Sequence, residues 1–171
     1  DAVDAGKHLI VEKPLAVNIA DMDLIISQAG AKGVKLMGVF QLRYGPAARR
    51  VKRAVQGGKL GKVVLGDAYI KWFRPQEYYD SADWRGNWGL EGGGALMTQG
   101  SHNVDLLQWI MGPVKRVYAR MGTLVHDVEV EDTVVAALEY ENGALGVIEA
   151  TTASHPGLPA KLEFSGSQGT I

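Results

Sequence analysis

Thr98, His102 and Asp105 recur at spacings of four and three residues, which places them together on one face of a helix. That helix follows Gly92-Gly93-Gly94, a run that breaks regular structure and lets the backbone approach a ligand closely. A histidine in the middle of such a face titrates near neutral pH and suits proton transfer. The same pattern also fits a helix start with one partly exposed, structural histidine. A second group is Glu12-Lys13-Pro14, which closes the apolar run His8-Leu9-Ile10-Val11. A lysine at the carboxyl end of a parallel strand sits where open α/β sheets bind ligands. There it can hydrogen-bond a substrate hydroxyl and stabilise negative charge developing on oxygen. Pro14 biases Lys13 towards an extended backbone and prevents further strand pairing. Taken alone, the tripeptide reads as a surface loop.

The elements that must position these groups follow from the periodicities. His8 to Val11 is a short apolar strand of the buried, parallel type. Asn18 caps a helix with Asp21 at its third position, and Ile19, Met22, Ile25, Ile26 and Ala29 form its buried stripe. Gly33 ends it, and residues 34–40 form a second apolar strand. Strand, helix and strand make a βαβ unit. Residues 41–46 are a polar connector, 47–56 a helix and 63–73 a long strand. Residues 74–94 are a long loop rich in aromatic residues, a length that is uncommon without a function. Leu96, Gly100, Val104, Leu107 and Met111 form the apolar stripe of the central helix, which Gly112-Pro113 stops. Strands follow at 114–121, 133–140, 144–152 and 161–165. Asn142-Gly143 reads as the turn pair of a hairpin. Two parallel strands and one helix cannot cover both faces of a sheet, so the first piece is too small to be a domain.

The 171 residues are enough for one domain with a real core, and 46% apolar with 22% charged residues is an ordinary globular balance. A net charge of −1 gives no electrostatic case for nucleic acid or an anionic membrane. The absence of cysteine excludes disulfides, thiolate metal sites and a cysteine nucleophile, and no metal site is expected. No apolar run approaches the roughly 20 residues of a membrane span. A cytoplasmic location is the expectation.

In order along the chain come Val11-Glu12-Lys13-Pro14, then Gly38-Val39-Phe40-Gln41-Leu42-Arg43-Tyr44, then Gly92-Gly93-Gly94-Ala95-Leu96 with Gly100, His102 and Asp105. Together they strongly resemble the Gfo/Idh/MocA family of NAD(P)-dependent oxidoreductases. Glu131-Asp132-Thr133, Glu141-Asn142-Gly143-Ala144 and the closing Gly166-Ser167-Gln168-Gly169-Thr170-Ile171 extend the resemblance over essentially the whole chain. The stretch 78–86 looks most like members acting on sugars and nucleotide sugars at C3.

The resemblance implies an α/β stub of a Rossmann domain over residues 1–40. An α+β domain with a predominantly antiparallel open sheet would follow over 41–171. It implies hydride transfer between NAD or NADP and a secondary alcohol of a sugar, polyol or nucleotide sugar. Lys13 would polarise the reacting hydroxyl and contact the nicotinamide ribose, with His102 as general acid/base. Glu12, Gln41, Trp84 and Arg85 match positions near the cofactor. Thr98, Asn103, Tyr44 and Tyr79 are the candidates for substrate contacts, and Asp105 would support the helix. The family usually has Asp or Asn where Thr98 stands, and a threonine cannot ionise. The Gly-x-Gly-x-x-Gly dinucleotide fingerprint is absent from the sequence, which implies a fragment lacking the pyrophosphate site. The resemblance also implies a homo-oligomer, dimer or tetramer, formed through the apolar residues of 134–138 and 145–148. The competing reading is a non-catalytic module for oligomerisation or carbohydrate binding, with Tyr78, Tyr79, Trp84 and Trp88 as platforms.

Overall fold

The structure is a computed structural model that describes residues 1–171. Its first part is small. Strands β1 (Leu9–Val11) and β2 (Leu36–Gly38) pair in parallel, with Leu9 opposite Leu36 and Val11 opposite Gly38. Helix α1 (Ile19–Ala31) connects them. Its cap is the one the sequence predicts: Asn18 accepts from the Asp21 N–H at 2.8 Å and donates to the Asp21 carboxylate at 2.7 Å. The expected buried stripe is not buried. Ile19 is 76% exposed and Ile26 53%, and only Ala29 is enclosed. The β1 strand, expected to be buried, leaves Ile10 77% exposed. A two-stranded sheet is too narrow to cover a helix or to be covered on both faces.

The second part is a six-stranded sheet in the order β4-β5-β6-β3-β7-β8. The strands are β3 (Val63–Lys71), β4 (Val114–Gly122), β5 (Thr133–Tyr140), β6 (Leu145–Thr151), β7 (Lys161–Gly166) and β8 (Gly169–Thr170). Every pairing is antiparallel except β3 with β6. Helices α2 (Pro46–Gln56) and α5 (Ser101–Met111) lie on one face. Alternation decides which side chains meet them. On β5, Val134, Ala136, Leu138 and Tyr140 are buried, while Val135 and Ala137 face outwards. Leu107, Ile110 and Met111 of α5 pack on Ala68, Ile70, Ala136, Leu138, Ile148 and Phe164. Small residues on the sheet let α5 come close. The outward face is less apolar than expected, because Val134, Ala136, Leu138 and Ile148 turn towards the helices. It carries the ion pairs Lys71–Glu149, Lys161–Glu163 and Arg116–Glu139 around Val135, Tyr118 and Leu145.

Two local readings are refined. The 74–94 loop contains two short helices, α3 (Gln76–Asp80) and α4 (Trp88–Glu91). In the hairpin loop only Gly143 has positive φ, +82°, so Asn142 does not form the first half of a type I′ pair. Instead Asn142 accepts from the Ala144 N–H at 2.9 Å and donates to the Met111 carbonyl at 3.1 Å, tying the hairpin to the end of α5.

The parallel seam between β3 and β6 depends on Gly146, where an added Cβ would collide with the carbonyl of Gly66. Gly146→Ala should therefore destabilise the chain by about 2 kcal/mol or more. Chemical denaturation measures this, and a loss below about 0.5 kcal/mol would show that the seam yields freely.

Candidate active site

β1 delivers Lys13 to the second part of the molecule. The β ladder ends where the Val39 N–H meets the Val11 carbonyl at 2.9 Å. Two residues later the Lys13 ammonium donates to the Thr98 carbonyl at 2.6 Å. Thr98 belongs to a π-helical turn, Ala95–Gly100, that leads into α5. Such wide turns occur mostly as single insertions in helices, frequently at functional sites. The sequence predicts a regular helix here. The departure has a visible cause in Glu131, whose buried carboxylate accepts from the N–H groups of Gly94 at 2.9 Å and Leu96 at 3.0 Å. Its backbone carbonyl accepts from Ala95 at 2.9 Å. Gly94 lies so close to this residue that a Cβ would overlap the Glu131 carbonyl.

His102 stands in the first turn of α5, four residues beyond Thr98. Its ring meets the edge of Phe40 at 6.0 Å, and its Nε2 lies 3.4 Å from Gln41 Nε2. Its Nδ1 is buried without a hydrogen-bond partner. Burial pushes its pKa below the ordinary histidine value, and the charge of Lys13 pushes it further, against weaker pulls from Asp105 and Glu12. The ring therefore stays neutral, and able to accept a proton, to lower pH than a free histidine. Asp105 is held by the Arg43 guanidinium, with Nε at 2.7 Å and Nη2 on the other oxygen. This fork joins the 3₁₀ turn Gln41–Tyr44 to α5 and sets Gln41 against His102.

The glycine-rich start is braced from behind. Asp132 is fully buried and accepts from the N–H groups of Leu124, Val125 and His126 and from the Thr133 hydroxyl. Burial alone would raise its pKa, but these hydrogen bonds outweigh it and hold the carboxyl at about 2. His126 touches Asp132 through Nδ1 at 3.0 Å and the Arg74 carbonyl through Nε2 at 2.7 Å. No cluster of His, Asp or Glu side chains suited to a metal ion is present, and no helix is long and apolar enough to cross a membrane.

The model of the GFO/IDH/MocA C-terminal domain matches residues 48–171. The chain belongs to the GFO/IDH/MocA family. It is 31% identical to myo-inositol 2-dehydrogenase of Thermotoga maritima over 98% of its own length and 49% of that protein. Among solved structures, it superposes with a TM-score of 0.95 on the WlbA dehydrogenase from Bordetella pertussis, crystallised with NADH and UDP-GlcNAcA. The identity is 41%, over 99% of this chain and 51% of that one. Levoglucosan dehydrogenase in complex with NADH gives a TM-score of 0.91 at 27% identity, over 99% of this chain and 48% of that one. The chain spans about half the length of the curated relatives it matches.

Of the residues that resemblance to the GFO/IDH/MocA family singles out, the fold brings together Glu12, Lys13, Gln41, Thr98 and His102. Thr98 contributes differently from expectation: its hydroxyl donates to the Gly93 carbonyl at 2.9 Å, and its own carbonyl holds Lys13. Asn103 is buried beside His102 and makes no side-chain hydrogen bond within the chain. Tyr44 is 58% exposed and lies under Arg49, in a separate cleft with Lys52 and Trp109. It is therefore not placed at His102. Tyr79 is a core residue and not a sugar contact: it is 5% exposed, its hydroxyl meets Thr152 Oγ1 at 2.7 Å, and its ring packs on His126. Arg85 packs on the rings of Tyr78 and Trp84, and neither Trp84 nor Arg85 bonds to Lys13. The Arg85 guanidinium sits 4.0 Å from the Tyr78 ring centroid and 5.1 Å from that of Trp84.

Glu131 and Gln99 were not legible as site residues. Glu131 stands in a motif of the family, but its partners lie more than 30 residues away, as the spans of 37 and 35 positions show. The electrostatic coupling is directly testable. Burial, the larger cause of the lowered His102 pKa, remains in Lys13→Met, but the second cause is removed, so the imidazole titration should move part of the way up towards its ordinary value. NMR titration of the ring protons reads this. An unchanged midpoint would show that Lys13 does not act on the ring.

Proposed function

We infer that this chain is the substrate-binding part of an NAD-dependent dehydrogenase acting on a secondary alcohol of a sugar, polyol or nucleotide sugar. The observation that carries the reading is the contact of the Lys13 ammonium with the carbonyl of Thr98, one helical turn before His102. It sets a cation and a neutral base beside one another, although 89 positions separate them along the chain, 102 less 13. Alcohol oxidation needs both. The hydroxyl proton must leave as the carbinol C–H bond breaks, and the oxygen carries partial negative charge until it does. His102 receives the proton, and the direction of its pKa shift keeps it ready to do so. Lys13 donates to the reacting oxygen. Only one of its three N–H donors is engaged by Thr98, so two are free for the substrate and for a ribose hydroxyl.

NAD, when bound, supplies the acceptor for the hydride. The residues here fit its nicotinamide end: Glu12 and Lys13 stand at the carboxyl end of β1, and Gln41 lies against His102. Support comes from the relatives, several of which are named NAD-dependent dehydrogenases or were crystallised with NADH. We assign residues 1–40 as the end of a Rossmann-type domain and 41–171 as the substrate domain. The uncovered Ile10, Ile19 and Ile26 are what a severed sheet would leave. A purely structural or carbohydrate-binding module would have no use for a desolvated histidine next to a lysine. In the active enzyme, His102→Ala should lower kcat by about 10²- to 10⁴-fold. Steady-state oxidation assays check this, and undiminished turnover would end the assignment.

We also propose self-association through the open face of the sheet, where Tyr118 is 74% and Val135 51% exposed. Sedimentation velocity should show a dimer or tetramer. Arg120→Glu together with Val135→Glu should dissociate it, and a monomeric wild type at high concentration would refute it.

A further inference from the structure

Two guanidinium groups stand close to the catalytic turn with no acidic partner. Arg74 and Arg85 lie against the same ring, that of Tyr78, at 5.4 and 4.0 Å from its centroid. Neither forms an ion pair within the chain, although each is only partly exposed. Of the five N–H donors on a guanidinium, Arg74 uses two, on the Phe73 carbonyl and Gln99 Oε1. Arg85 uses Nη1 alone, on the Tyr78 carbonyl and Ser81 Oγ. Its Nε is buried and has no partner at all. Two like charges sharing one aromatic ring repel, and an unsatisfied buried donor costs free energy. The repulsion is relieved by an anion whose oxygens accept from the open Nη groups of both side chains.

The arrangement is tied to the catalytic residues. Gln99 donates to the Tyr78 hydroxyl at 2.8 Å and accepts from Arg74 Nη2 at 3.0 Å. It precedes His102 by three residues, so the two are neighbours on the helix surface. A ligand group on the arginines would thus be attached to the same molecule whose hydroxyl meets His102.

Resting on the dehydrogenase reading, we propose that Arg74 and Arg85 form an anion subsite, and that the substrate is an acidic sugar derivative, not a neutral polyol. The recognised group is an oxyanion, either a carboxylate on the sugar or a phosphoryl group linked to it. Arg74 and Arg85 touch it directly, and Tyr78 and Gln99 position them.

The test compares ligands that differ in charge on the active enzyme. UDP-GlcNAcA, neutral N-acetylglucosamine and myo-inositol are assayed for kcat/KM, and UDP-GlcNAc separates the two sources of charge. The wild type should prefer UDP-GlcNAcA to the neutral compounds by at least about tenfold, as expected for charge-assisted hydrogen bonds. Arg74→Met and Arg85→Met should each reduce that preference by about 10- to 100-fold, chiefly through KM. Arg74→Lys should recover part of it. If UDP-GlcNAc behaves like UDP-GlcNAcA and both respond to the substitutions, the anion is the diphosphate. If only UDP-GlcNAcA responds, it is the carboxylate. Equal kcat/KM for acidic and neutral sugars in the wild type would overturn the subsite, and this comparison needs no variant to fold. That failure is distinct from failure of the dehydrogenase reading, which would show as no NAD reduction with any sugar.

Discussion

The carboxylate of Glu131 holds the glycine-rich start of the π-helical turn in place. It is almost fully buried, and no cation approaches it within ion-pair distance; two backbone N–H groups of the glycine-rich start accept that role instead. A buried charge is tolerable only when hydrogen-bonded this well. The arrangement fixes where the π-helical turn begins. The turn fixes the direction of the Thr98 carbonyl, which captures Lys13, and the angular position of His102. Gly94 is required for the same reason, because a side chain at that position would occupy the space of the Glu131 backbone. Three distant pieces of sequence are thereby reduced to one geometry.

A second constraint works at the other end of the site. Arg43 and Asp105 form a two-pronged bond between the 3₁₀ turn and α5, and the Asp105 side chain is only 9% exposed. Gln41 and Phe40 are thereby pressed onto the imidazole. The ring is confined on one side by an aromatic edge and on the other by an amide, so its freedom to rotate is small before any ligand arrives.

Much of this was legible in the residues. The caps of α1, the breaks at Gly33 and Gly112, the strand alternation of β5 and the hairpin at Gly143 all depend on local rules of backbone and side-chain geometry. Lys13 and His102 were singled out from motifs, and the fold bonds the Lys13 ammonium to the Thr98 carbonyl, one turn before His102. What failed had non-local causes. Tyr79 looked like an exposed platform, yet its hydroxyl finds Thr152, 73 residues later. Ile19 and Ile26 followed helical spacing correctly, but periodicity cannot say whether a covering layer exists. The π-turn is invisible to any pattern, since it is imposed by a carboxylate more than 30 positions downstream.

The backbone at Arg74 has a further meaning. Its N–H is bonded to Thr152 at 2.7 Å and its carbonyl to His126, which Asp132 holds in turn. The main chain there is fastened by partners that ignore the side chain it carries. Selection can therefore exchange the residue at 74 without loosening its mount. A lineage built on this frame can change the side chain presented at this position and keep the course of the main chain around it.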